Sequence, residues 1–140
     1  MKKSYNQIQK NYMIAKAKLE ALEEQEREVD RLYIIEKGIK NTDGTIPTRT
    51  YMIEDDAMAD KAIEDVGKIL AESGLWNKIT EAREELKAAE ENLINYGLSI
   101  MPSRLVGEKE TLERAARTNY TLRKKIIDLV LRLDVSTVNI

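Results

Sequence analysis

The sequence predicts an all-α fold: an elongated antiparallel helical bundle of three long heptad-patterned helices plus one shorter helix, in a single domain over 1–140. Composition favours this class, because the 140 residues include only 6 Gly and 2 Pro, while 34% are charged and 5% are aromatic. Few helix breakers, much charge and few rings are typical of bundles and coiled coils. Spacing favours it too, since apolar residues recur at alternating steps of three and four in three segments.

The first helix is predicted over about 2–37, because no Gly or Pro interrupts the chain before Gly38. The line of regularly spaced apolar residues along this helix, which we call its seam, has one polar break, at Glu26. A tyrosine on a buried seam keeps a hydroxyl that needs a partner, so we expect the seam tyrosines close to water or to an interface. The apolar seam residues are Tyr5, Ile8, Tyr12, Ala15, Leu19, Leu22, Val29 and Tyr33.

Residues 38–54 break the helical pattern. The tetrapeptide 41–44, Asn-Thr-Asp-Gly, is a strong turn signal, and β-branched and aromatic residues follow it around Pro47. The segment is therefore predicted as a long loop or a small β-hairpin arm. Ordered loops of this length often carry function.

The second, shorter helix is predicted over about 55–73. Asp55 and Asp56 supply an N-cap and negative charge at the positive end of the helix. Gly74 separates this helix from the third, over about 75–96. The seam of the third helix is the most regular in the chain: Leu75, Ile79, Ala82, Leu86, Ala89, Leu93 and Tyr96.

The fourth helix is predicted over about 103–134, after a turn at 97–102. Its seam is apolar apart from Asn119. Polar residues on a seam often fix register or oligomeric state, and we assign that role to Asn119 and Glu26 in preference to a polar pocket. The uncharged tail 135–140 is predicted as a short strand beside the loop or as a frayed terminus.

Several chemistries are excluded by composition. With no Cys and no His, the chain has no disulfide, no cysteine nucleophile, no Ser–His–Asp triad and no histidine metal ligand. No glycine-rich phosphate loop is present. No apolar run approaches the roughly 18 residues that span a bilayer, and residues 1–20 lack a signal core. We therefore expect a cytoplasmic protein with no membrane partner, no enzymatic activity and no cofactor.

Acidic residues gather at the start of the second helix, at Asp55, Asp56, Asp60 and Glu64. The last three lie at i, i+4 and i+8 on one face, a spacing at which carboxylates can hold Mg²⁺ or Ca²⁺. The calcium-loop pattern is absent. We interpret the set as a solvated acidic patch and predict no metal, which leaves a carboxylate–metal enzyme as the least favoured alternative.

A basic face is predicted on the fourth helix, at Arg114, Arg117, Lys124 and Lys125. Residues 101–140 carry eight basic and five acidic residues, whereas residues 51–100 carry five basic and twelve acidic ones. The acidic residues dilute the basic face, so direct nucleic-acid binding is not expected. The charge asymmetry suits electrostatic complementarity between segments or between chains.

A partner-facing patch is predicted at Arg49, Tyr51, Met52 and Trp76, near one end of the bundle. Trp, Tyr and Arg most often dominate the energetics of protein interfaces. The alternative for Trp76 is that it closes the end of the bundle.

The sequence leaves two main functional hypotheses. The first is a non-enzymatic helical interaction module that self-associates, as a homodimer, and presents a surface to a protein partner of unknown identity. The second is a small inhibitor or regulator, of the kind that phages and mobile elements encode, that docks on a larger nucleic-acid-handling enzyme through the acidic segment 51–100.

Overall fold

The computed structural model describes residues 4–100 and 106–132, the side chains of 106–109 excepted. All regular structure in these ranges is helical, which confirms the all-α class. One turn of 3₁₀ helix, Thr50–Met52, precedes the second helix. The tail predicted at 135–140 lies outside the described residues. The helices are α1 (Tyr5–Glu36), α2 (Asp56–Glu72), α3 (Leu75–Ser99), α4 (Val106–Thr118) and α5 (Tyr120–Leu131).

The chain forms two compact units, which are described separately. The terminal unit consists of the described residues of Met1–Lys16 and Glu84–Ile140, and the central unit is Ala17–Arg83. Helices α1 and α3 each contribute residues to both. The single domain over 1–140 stays a prediction.

The core of the terminal unit is built on the predicted seam of α1. Tyr5 lies with its ring centroid 5.1 Å from that of Tyr96 and donates its hydroxyl to the Val130 carbonyl at 2.6 Å. Burial, followed by the charge of Tyr96, raises the pKa of Tyr5. The hydroxyl thus finds a backbone partner in place of water. The buried core residues are Tyr5, Ile8, Tyr12, Ala15, Ala89, Leu93, Ile94, Leu98, Ala116, Ile127 and Val130.

The fourth predicted helix is two helices, so the predicted helix count is wrong in the described residues. Asn119 has extended backbone angles (φ −124°, ψ 107°), and its side chain accepts a hydrogen bond from the Leu122 N–H at 3.1 Å. It is exposed and caps α5, and it does not lie within a continuous seam. Asparagine competes for backbone hydrogen bonds in this way, which is why it favours helix caps over helix interiors.

Besides its core residues, helix α5 contributes one arginine that contacts two other helices of the terminal unit. Arg123, whose side chain is only 15% exposed, donates to Glu91 at 2.7 Å and to the Ala116 carbonyl at 3.4 Å. Its second terminal nitrogen lies 3.5 Å from a Glu90 oxygen. A single guanidinium therefore ties together α3, the end of α4 and α5.

In the central unit the buried stripe of α1 moves by one residue. The seam predicts Val29 and Tyr33 as buried, but both are half-buried, whereas Asp30 and Ile34 are buried. A straight α-helix drifts about 20° per heptad from a strict seven-residue repeat, hence about 80° over the four heptads from Tyr5 to Tyr33. That drift is close to the roughly 100° between neighbouring residues. Asp30 thereby reaches a position that the sequence pattern assigns to Val29.

The segment 38–54 is an ordered loop, and the predicted β-hairpin arm is not formed. Gly38 and Gly44 adopt positive φ (65° and 86°), which ends α1 and closes the Asn41–Gly44 turn. Glu54 then fastens the two ends of the loop together. Its carboxylate accepts from the Thr42 N–H at 2.8 Å, and its own N–H donates to the Asn41 side chain at 3.1 Å.

Candidate functional site

The loop is anchored on α1 by a buried ion pair. Arg49 donates its Nε to the Asp30 carboxylate at 2.7 Å, and the same carboxylate oxygen accepts from the Thr50 N–H at 3.3 Å. The Asp30 side chain is only 5% exposed. Glu26, the polar break in the seam, lies 3.4 Å from the Arg49 guanidinium. The structure thus gives Glu26 a partner within its own chain.

The Arg49 pKa is raised although burial of the guanidinium alone lowers it. The hydrogen bond and charge of Asp30, with smaller contributions from Tyr51 and Glu26, outweigh the desolvation. Arg49 therefore stays charged, and the ion pair holds the 3₁₀ turn against α1.

This anchor displays two exposed apolar side chains, Tyr51 (64% exposed) and Met52 (49% exposed). The Arg49 guanidinium carbon lies 5.6 Å from the Tyr51 ring centroid, a cation–π distance. We call Arg49, Tyr51 and Met52 the loop patch. A hollow of about 330 Å³ adjoins it, bordered on the α1 side by Arg27 and Arg31, which pair with Glu24 and Glu28.

Trp76, the fourth residue of the predicted patch, packs on α2. Its ring lies over Gly67, where an added Cβ would come within 3.3 Å of it. The ring is still 47% exposed. The structure therefore brings Arg49, Tyr51 and Met52 together on one 3₁₀ turn and its N-cap, and it gives Trp76 a separate packing role on the face of α2.

The acidic patch divides by role. Asp55 caps α2 by accepting from the Met58 N–H at 2.8 Å, as the sequence predicts. Asp56 and Asp60 are exposed, and Glu64 pairs with Lys68 at 3.4 Å. Within 4–100 and 106–132, no three carboxylates gather as metal ligands do. The docking of this face on a basic enzyme stays a hypothesis.

The predicted basic face is divided by the break at Asn119. Arg114 and Arg117 lie on α4, and Lys124 and Lys125 lie on α5, all four exposed. Arg117 pairs with Glu113 at 3.3 Å, and the Lys124 ammonium lies 5.2 Å from the Tyr120 ring centroid. These cations lie on two helices in place of one continuous face.

A second concave surface of the central unit lies where α1 ends and α2 begins, with a volume of about 560 Å³. We call it the Tyr33 groove. Tyr33 donates its hydroxyl to Asp65 at 2.6 Å, and Lys61 lies 3.4 Å from the same oxygen. The Lys37 ammonium lies 5.8 Å from the Tyr33 ring centroid. The apolar lining comes from Ile39, Ala57 and Met58.

The hydrogen bond between Tyr33 and Asp65 shifts the pKa of both groups. It raises the pKa of Tyr33 to about 12, helped by burial and by the charges of Asp65 and Glu36. The Asp65 pKa is lowered by the same hydrogen bond and by Lys61 and Lys68, against the effect of desolvation. Strongly perturbed groups in a concave site mark a candidate binding site.

Tyr33 should ionise about two pH units later than an ordinary tyrosine. The neutral phenol is the stabilised form, so its contribution to stability is complete below the ordinary pKa of 10.0 and is lost as the pH rises towards 12. Tyrosinate absorbance, followed against pH in the folded protein, should show a late step that is missing in Tyr33→Phe. The prediction is wrong if the two titration curves differ only near pH 10.

The sequence pattern does not show the Asp30–Arg49 anchor or the Tyr33 groove. Asp30 sits one residue off the heptad seam, so it looks like a surface carboxylate. Tyr33 and Asp65 are 32 residues apart, and only the folded path of the loop brings them together. The one available signal was the polar break at Glu26, which predicts that a polar partner reaches the α1 seam there.

The fold and the site define a class: an all-helical protein that displays a small aromatic and basic patch on an anchored loop. No protein-family model matches the chain, and no curated protein or solved structure shows significant similarity to it. In the part of the chain that the structure describes, no helix is both long and apolar enough to cross a membrane.

Proposed function

We propose that this protein is a non-enzymatic interaction module that binds a protein partner through the loop patch. The observation that carries this proposal is that Tyr51, 64% exposed, stands on a turn whose position is fixed by the buried Asp30–Arg49 pair. Self-association as a homodimer remains part of the hypothesis and stays a prediction.

The exposure of the loop-patch side chains and the fixed position of the loop together support the proposal. The free energy falls when a partner covers a large apolar side chain that was exposed to water. Tyr and Arg are also enriched among the residues that dominate the energetics of interfaces. The loop is held at two points. Arg49 pairs with Asp30 of α1, and Glu54 accepts a hydrogen bond from Thr42 in the Asn41–Gly44 turn. Little conformational entropy is therefore lost when a partner binds, which is the usual benefit of a pre-organised surface.

The hollow beside the loop patch defines the chemistry of the partner. Its lining consists of three arginines, two glutamates, a threonine and a tyrosine: Arg27, Arg31, Arg49, Glu24, Glu28, Thr48 and Tyr51. Arginine forms bidentate hydrogen bonds with carboxylates and stacks on planar groups. A partner segment with an apolar residue for Tyr51 and polar or planar groups for the paired arginines and glutamates fits this surface.

Site-specific photocrosslinking in native cells tests the proposal. A benzophenone amino acid placed at position 51 should crosslink one defined foreign protein, because residue 51 faces the partner. The matched control is the same amino acid at position 120, since Tyr120 is also highly exposed (70%) but lies in the terminal unit. Tyr51→Ser combined with Met52→Ser should weaken binding of the isolated partner about tenfold or more.

Comparison of the crosslinked products at positions 51 and 120 distinguishes the possible results. A specific product at 51 and none at 120 supports the loop patch. A product whose mass is a multiple of 16.1 kDa would identify a second copy of the chain as the occupant. Equal labelling at both positions would overturn the assignment of the surface.

A further inference from the structure

We propose that the Tyr33 groove binds a small amphipathic organic anion, a carboxylate carried on an aliphatic or aromatic body. The groove belongs to the central unit, and its lining residues are not those of the loop patch. This site is therefore separate from the surface assigned to a protein partner.

The size and lining of the groove suit a small ligand. Its volume of about 560 Å³ falls in the range of roughly 300–1,000 Å³ that is typical of ligand sites. The Tyr33 ring and the side chains of Ile39, Ala57 and Met58 form the apolar lining. Met58 is 46% exposed although it directly precedes the buried residue Ala59, and methionine adapts readily to ligands of different shape.

Two lysines and two carboxylates line the groove, and the contacts among the described residues leave one of the lysines, Lys37, without an ion pair. Both carboxylates are already engaged, Asp55 with the Met58 N–H and Asp65 with the Tyr33 hydroxyl and Lys61. Lys37 makes no ion pair with a described residue, and its ammonium lies 5.8 Å from the Tyr33 ring centroid. The Lys61 side chain, 75% exposed, is held in its ion pair with Asp65 at 3.4 Å.

The groove lies against the first turn of α2, through Ala57 and Met58. The partial positive charge of that helix end is already met by the Asp55 carboxylate, which accepts from the Met58 N–H, so the preference for an anion rests on Lys37. A carboxylate placed between Lys37 and Lys61, with its apolar body on Met58 and Ile39, satisfies the free ammonium and covers the exposed methionine. A cationic ligand can cover the methionine, but it places its charge beside the unpaired Lys37 ammonium.

The test uses three ligands that share one tail and differ in the head group: octanoate, octanol and octylammonium. Amide shifts in two-dimensional NMR spectra of the full chain should respond to octanoate at residues 37–39 and 57–61. Octanol should bind about tenfold more weakly, since a charge-assisted contact is lost, and octylammonium should bind more weakly still.

Matched charge-reversal variants test whether Lys37 binds the carboxylate of octanoate. Lys37→Glu should weaken octanoate binding about tenfold or more, because an ammonium becomes a carboxylate at the rim. Lys68→Glu is the control, since it makes the same charge change at another exposed lysine of the central unit, one that pairs with Glu64 and does not line the groove. Both lysines are exposed, so both variants should keep the melting temperature of the parent protein.

Three results overturn the proposal. Equal binding of octanoate and octylammonium shows that the charge is not recognised. Equal loss of octanoate binding in Lys37→Glu and Lys68→Glu shows a general charge effect in place of a site. Octanoate shifts centred outside the residues that line the groove show that the ligand binds elsewhere. None of these results bears on the loop patch, because the photocrosslinking test does not use these lysines.

Discussion

Replacing Arg49 by methionine is expected to lower the free energy of unfolding by about 3 kcal/mol, the largest effect of any single substitution proposed for this chain. The change leaves the Asp30 carboxylate, only 5% exposed, without its cation. Removal of one partner of a buried pair typically costs about 3–5 kcal/mol. The lower end of this range applies here because the Arg49 side chain is 24% exposed and the pair is therefore not fully buried. Urea denaturation of parent and variant measures the difference.

Two further variants separate the buried charge from other effects of the substitution. Arg27→Met removes the same side chain from an exposed pair with Glu24, so its cost should stay below about 1 kcal/mol. Asp30→Asn combined with Arg49→Met removes the buried charge but keeps an oxygen that accepts from the Thr50 N–H. This double variant should be more stable than Arg49→Met alone. If it is less stable, the uncompensated carboxylate is not the cause.

Gly97→Ala is expected to destabilise the terminal unit by up to about 2 kcal/mol. A Cβ at this position would lie 2.6 Å from a Val130 methyl carbon, and the β-branched valine in a helix has little freedom to turn away. Overpacking of this kind typically costs about 1–3 kcal/mol, against a gain of about 1 kcal/mol in helix propensity. Thermal and urea unfolding should both show the loss.

Gly67→Ala is the matched control, because it makes the same change on another helix. Its Cβ would meet the Trp76 ring at 3.3 Å, and that ring is half-exposed and can shift. The variant should therefore be neutral or more stable than the parent. Val130→Ala should also cost less in the Gly97→Ala background than in the parent, because it removes the methyl group in the clash. Additive effects of the two substitutions would contradict a close contact between α3 and α5.

The helical class and three of the helix boundaries follow from local signals. Gly38 ends α1, Asp55 caps α2, and Gly74 separates α2 from α3, each through backbone chemistry that the residue type itself carries. The break at Asn119 has the same kind of local cause, but its place on an apolar seam concealed it. A heptad pattern reports spacing alone, and it does not show whether a polar residue caps a helix or lies inside one.

The site residues were predictable only in part. Tyr51 and Met52 are exposed on the loop, as a partner-facing patch requires, because an apolar residue in a turn-rich segment has little core to enter. The anchor beneath them depends on Asp30, which reaches the interior through the drift of a 3.6-residue helix away from a seven-residue repeat. The Tyr33 groove depends on contacts over 32 residues, and no periodicity within one helix encodes such contacts.

The Asp30–Arg49 pair also determines whether trypsin can cleave the loop after Arg49. Trypsin cleaves after an arginine only when that side chain can enter its specificity pocket and the neighbouring backbone can unfold into the active-site cleft. Here the Arg49 guanidinium is held by Asp30 and Glu26, and the next residue, Thr50, is 5% exposed. Lys40, in the same loop, is exposed. The chain therefore protects its Arg49–Thr50 peptide bond by the same ion pair that displays Tyr51, and nicking after Arg49 becomes a direct sign that the patch has come away from α1.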